Sequence, residues 1–113
     1  MHEMSLCESI INALEVQAKQ QGFSHVKGVW LEIGALAAID IDAMRFSFDM
    51  VAKNTLADQA ALTIHTVSGQ GLCRLCGAQS QLIHRYDACA SCGEYNLQVT
   101  DGEQMKIKEI EVV

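Results

Sequence analysis

The chain has 113 residues, half of them hydrophobic, no proline and a formal net charge of −6. That suits one compact unit with a small appendage, and no apolar stretch approaches the roughly 18–20 residues that cross a bilayer. The acidic balance argues against nucleic-acid binding through phosphate neutralisation, and a zinc-filled site of four thiolates would deepen it.

Ser5, Leu6, Cys7 and Glu8 read as a capping box opening an amphipathic helix over about residues 5–21. Leu6, Ile10, Ala13, Leu14 and Ala18 share one face, Gly22 is a stop, and Cys7 borders the stripe as a packed thiol. "HVKGVWLEIG" then alternates Val29, Leu31 and Ile33 against Gly28, Trp30 and Glu32, the period of a strand. A second helix is expected over about 41–54, capped by Asp40 or Asp42. Its apolar residues run all round the barrel, which predicts extensive burial. "ALTIHTV" is a further strand, with Leu62, Ile64 and Thr66 on one face and His65 on the other. "MKIKEIEVV" is the last, its apolar phase slipping between Ile107 and Ile110 as at a bulge. The expected fold is α+β: two helices packed on a small three-stranded sheet, with an inserted four-cysteine zinc-ribbon module. Residues 1–68 and 99–113 form the body and 69–98 the insert.

The insert holds four of the five cysteines, in "CRLC" (Cys73, Cys76) and "CASC" (Cys89, Cys92), separated by 12 residues. Two such knuckles offer four thiolates in the tetrahedral arrangement zinc favours, and Gly77 and Gly93 let each turn close. About thirty residues with so few large apolar side chains cannot order themselves by burial. Zinc ligation, worth on the order of 10–16 kcal/mol in finger peptides, supplies the missing order. A dithiol redox pair needs one such motif at a helix start, and two disulfides need an oxidising compartment. A closed four-cysteine site leaves no position for substrate and is therefore structural. Arg74 and Arg85 are candidates to screen its negative charge, although solvation also explains them.

The start, "MHE", is of another kind. A bulky His2 disfavours removal of Met1. The terminal amine, the His2 amide and the His2 imidazole then chelate one ion in fused rings, with the Glu3 amide and carboxylate adjacent. Such nitrogen-rich, planar donors favour Ni(II) or Cu(II) over Zn(II). Taken alone, a solvated terminal histidine is the commoner outcome.

Together, the "MHE" start, "VWLEIGAL" followed by Asp40, the two knuckles and the "KIKEIEV" finish resemble the HypA/HybF family of hydrogenase-maturation nickel metallochaperones, over essentially the whole chain. The resemblance implies a nickel-binding α+β domain carrying a zinc-binding insert. It implies His2 as nickel ligand with Met1, Glu3 and Asp40 near it, and structural zinc on Cys73, Cys76, Cys89 and Cys92. Asp40 reads equally well as a helix cap. Nickel is then cargo, delivered with a HypB-type GTPase to the large-subunit precursor of a nickel–iron hydrogenase, and a homodimer stays open. Some relatives carry histidines flanking the knuckles that rearrange the zinc site with pH. Here the insert has only His84, away from both.

No enzyme motif competes. "HEMSL" has Leu6 where a metalloprotease needs its second histidine, and "GQGLCR" lacks the end of a phosphate loop. The H-x-E and P-C-x-x-C pair of zinc deaminases is missing. With no basic region and apolar core at the start, the expected compartment is the cytoplasm, with no membrane or nucleic-acid partner. The alternative from another class is a zinc-ribbon adaptor without a nickel role.

Overall fold

A computed structural model describes residues 2–113; the expectations placed on Met1 lie outside them. The elements run α1 (Glu3–Gln21), β1 (Val26–Gly34), α2 (Ile41–Val51), β2 (Ala61–Val67), β3 (Gly69–Cys73), β4 (Gln79–Leu82), β5 (Leu97–Asp101) and β6 (Met105–Val112). Two three-stranded sheets form, ordered β2-β1-β6 and β4-β3-β5. The α+β class with two helices and a four-cysteine ribbon is as expected; the second sheet is additional to the single expected one. Two compact units divide the chain. One takes in the chain up to Leu31, Ile39–Ile64 and Ile107–Val113; the other takes in Glu32–Ala38 and His65–Lys106.

In the first unit α1 starts at Glu3 rather than Ser5, with His2 as its N-cap residue. The expected capping box does not form, because Ser5 lies inside the helix and its carbonyl accepts from the Ser9 hydroxyl at 3.1 Å. Gly22 ends the helix in the left-handed conformation (φ 80°), its amide donating to the Ala18 carbonyl. Cys7, Ile10, Ile11 and Leu14 are buried on the stripe, while Ala13 faces solvent. α2 is capped by Asp40, whose Oδ1 accepts from the Ala43 amide at 3.1 Å. Its apolar residues are not largely buried as expected. Met44 and Phe48 enter the core, whereas Phe46 and Met50 are 67% and 51% exposed. The helix also ends at Val51, earlier than expected, because turns take over from Ala52 and Asn54 adopts a left-handed φ of 62°. The Val26 amide donates to the Leu56 carbonyl, pinning this loop to the start of β1. Val29 and Leu31 are fully buried, and Trp30 on the opposite side lies over Gly28, where a Cβ would stand 3.0 Å from its ring.

In the second unit β3 pairs antiparallel with both β4 and β5, and the register shifts between Gln70 and Gly71 on the β5 side. Ile33, Leu36 and Leu82 are buried there with Cys73 and Cys89. Three backbones meet at Gly34, Gly69 and Gly102. A Cβ on Gly34 would overlap the Gly102 carbonyl, and one on Gly102 (φ 89°) would stand 2.6 Å from the Gly69 Cα. The Leu36 amide donates to the Gly102 carbonyl at 2.8 Å. On β6 the half-buried residues are Met105, Ile107 and Ile110, so the burial phase slips where the sequence slips.

Candidate metal centres

The cysteine cage forms where two knuckles close on one another. In the first, the Gly77 amide donates to the Cys73 carbonyl at 3.0 Å; in the second, the Gly93 amide donates to the Cys89 carbonyl at 2.9 Å. Each turn needs a residue at positive φ (76° at Gly77, 78° at Gly93), which glycine adopts without steric cost. β3 leads into the first knuckle through Cys73, whose amide donates to Ala78. The Cys89 amide donates to the Glu94 carbonyl, closing the base of the second knuckle, and the Arg74 amide of the first knuckle donates to the Asn96 carbonyl.

The four sulfurs all lie within 4.8 Å of one another. Cys73 and Cys92 Sγ are 3.7 Å apart, and Cys76 and Cys89 Sγ are 3.6 Å apart. Four sulfurs held about 2.3 Å from a zinc ion form a tetrahedron with edges of about 3.8 Å, so the cage has the size for zinc. Cys73 and Cys89 are buried, Cys76 and Cys92 exposed. The knuckle amides favour thiolate at the first cysteine of each pair. Those of Cys76 and Leu75 lower the Cys73 thiol, and those of Cys92 and Ser91 bring Cys89 down to about 6. At Cys92 the Glu94 amide also lowers the thiol, but desolvation and the facing cysteines outweigh it and carry it up to about 12. This donor set is that of a closed structural zinc site.

Of the expected screening arginines, Arg85 is otherwise engaged. Its Nη1 donates to Glu103 Oε2 at 2.6 Å and its Nη2 to the Leu36 carbonyl at 3.2 Å. His84 is exposed and outside the cysteine cluster. No motif marks Ser80, which is buried on β4 and whose hydroxyl accepts from the Ala90 amide at 3.2 Å.

At the head of α1, His2 is exposed, and its side chain makes no capping hydrogen bond. Its carbonyl accepts from the Leu6 amide. Glu3 is 7% exposed and its Oε2 accepts from the Asp40 amide at 3.3 Å. The carboxylate therefore ties the start of α1 to the start of α2, a role sequence spacing could not reveal because the partners are 37 residues apart. Among the described residues, the four cysteines are the one preformed group of three or more metal-ligating side chains, and His2, Glu3 and Asp40 are not gathered into another.

A four-thiolate cage in an α+β chain whose first helix opens on an uncommitted imidazole defines a metal-handling protein. No helix among the described residues is long and apolar enough to cross a membrane. The family described as hydrogenase/urease nickel incorporation, metallochaperone, HypA matches residues 1–112, and the chain belongs to that family. The hydrogenase maturation factors HypA of Alkalilimnicola ehrlichii and Azotobacter chroococcum are 50% and 48% identical to it, each alignment covering 99% of both chains. A solution structure of the nickel metallochaperone HypA from Helicobacter pylori superposes with a TM-score of 0.74 at 25% identity, over 100% of this chain and 98% of that one. The chain is thus a metallochaperone of nickel incorporation in hydrogenase maturation; the family's work is metal delivery.

Proposed function

We propose that Ni(II) is carried as cargo at the amino terminus, with His2 as the principal ligand. The Met1 amine completes the chelate, and Glu3 and Asp40 contribute carboxylate charge at the starts of the two helices. Cys73, Cys76, Cys89 and Cys92 retain zinc permanently in an insert spanning 69–98. The nickel passes, with a HypB-type GTPase, to the large-subunit precursor of a nickel–iron hydrogenase in the cytoplasm. One observation carries this reading: the His2 imidazole is exposed and takes no part in capping α1, while the neighbouring Glu3 is committed to the fold. Planar nitrogen donors suit Ni(II), and an open site releases its ion more readily than a thiolate cage.

The test uses untagged, zinc-loaded protein whose retained Met1 is verified by mass. Titration with Ni(II) should show one nickel per chain in addition to zinc, lost in His2→Ala and on extending the amino terminus. Equal nickel binding by all three proteins would refute the reading.

A further inference from the structure

We propose that Ser80 is a positioning residue of the cysteine cage, locking the second knuckle to β4 and hydrogen-bonding the Cys89 sulfur. The proposal rests on reading the four cysteines as the zinc site. Ser80 is 6% exposed, and β4 carries it opposite Gly71 of β3, in the hairpin that bears the first knuckle. A serine hydroxyl has one proton to give and lone pairs to receive. Here the Ala90 amide donates to Ser80 Oγ at 3.2 Å, so the lone pairs are partly used. The proton then has a direction, since Oγ lies 4.0 Å from Cys89 Sγ, at the outer reach of an O–H···S contact. No buried side-chain polar atom among the described residues lacks a partner, so the hydroxyl is not a stranded group.

The geometry joins elements that the chain separates. Ser80 follows the first knuckle, Cys89 opens the second, and one hydroxyl holds both the sulfur and the next backbone amide of that knuckle. Partners that orient a metal's ligands from behind typically change metal affinity by 10–100-fold when removed. A hydrogen bond to a thiolate also withdraws electron density from the sulfur. Its loss raises the energy of the sulfur lone pairs and moves the thiolate-to-metal charge-transfer absorption to longer wavelength. The Ala90 amide, left without its acceptor, then no longer fixes the knuckle, and this loss of orientation is what weakens retention.

The experiment measures zinc retention against a competing chelator, and the charge-transfer band of the cobalt(II)-substituted full chain, for wild type, Ser80→Ala, Ser80→Thr and Ser80→Val. Threonine and valine have the same shape and differ in the hydroxyl, so that pair separates hydrogen bonding from packing. Ser80→Ala and Ser80→Val should hold zinc about 10–100-fold more weakly with a red-shifted cobalt band, and Ser80→Thr should keep wild-type behaviour. Equal retention by all variants, equal loss by threonine and valine, or weakened retention with an unmoved band would each overturn the proposal. Failure of the wild type to bind zinc would instead overturn the zinc reading beneath it.

Discussion

Asp40 is expected to serve two purposes that one pair of substitutions separates. Its Oδ1 accepts from the Ala43 amide at 3.1 Å, and its charge lies at the positive end of α2. Asp40→Ala removes both effects, about 1 kcal/mol for the cap and about 0.5 kcal/mol for the charge. Asparagine caps as well as aspartate, so Asp40→Asn should lose only the smaller part, about 0.5 kcal/mol. For a chain of this length 1 kcal/mol corresponds to about 4 °C in Tm. Helix melting of the zinc-loaded protein, followed by far-ultraviolet circular dichroism, should therefore fall by about 6 °C for alanine and about 2 °C for asparagine. Nickel affinity should fall in both, because both lose the carboxylate charge. If asparagine proves as destabilising as alanine, the Ala43 hydrogen bond is not what Asp40 contributes to the fold, and the reasoning fails.

Glu3→Ala should loosen the junction of the two helix starts and lower Tm more than Asp40→Asn, because it strips the acceptor from the Asp40 amide; hydrogen exchange at that amide should accelerate in step. Burial, and then the Glu3 charge, push the Cys7 thiol up to about 11 from an ordinary 9.0. The folded state thus favours the neutral thiol, a contribution complete below pH 9 and lost as pH rises towards 11. Urea midpoints should accordingly fall more steeply above pH 9 for wild type than for Cys7→Ala; parallel curves would refute this. Gly77→Ala and Gly93→Ala meet open space but force a side chain to positive φ, at a cost of about 1–2 kcal/mol each. Chelator competition should show zinc held roughly tenfold more weakly in each. Cys73→Ser, or zinc removal, should abolish exchange protection across β3, β4 and β5 while α1 retains it; unchanged protection would count against zinc as the source of order.

Local chemistry explains what could be read from the sequence. Each knuckle turn and the Asp40 cap close within four residues, and the repeated C-x-x-C spacing marks the cage although its two halves meet across 13 and 19 residues. At the start of α1, Ser5 and Glu8 have the form of a local cap, whereas the helix begins at Glu3, whose carboxylate reaches the Asp40 amide 37 residues away. Apolar composition misleads at α2, since Phe46 and Met50 are apolar yet face outward. β3 and β4 are hard to read because "GQGLC" and "QSQL" are short and polar, and "LQVTD" alternates Leu97 and Val99 against Gln98 and Thr100 over too few residues to mark a strand; pairing and the knuckles define all three instead. Arg85 looked like a counter-charge to the sulfurs, but Glu103 and the Leu36 carbonyl hold it.

The meeting of Gly34, Gly69 and Gly102 limits how such a chain can diverge. A crowded side chain is relieved by trimming its neighbour. Here an added methyl on Gly34 or Gly102 strikes main-chain atoms, which no substitution can make smaller. Those two positions have no compensating partner, so any tolerated change there must come with a shift of the strands themselves.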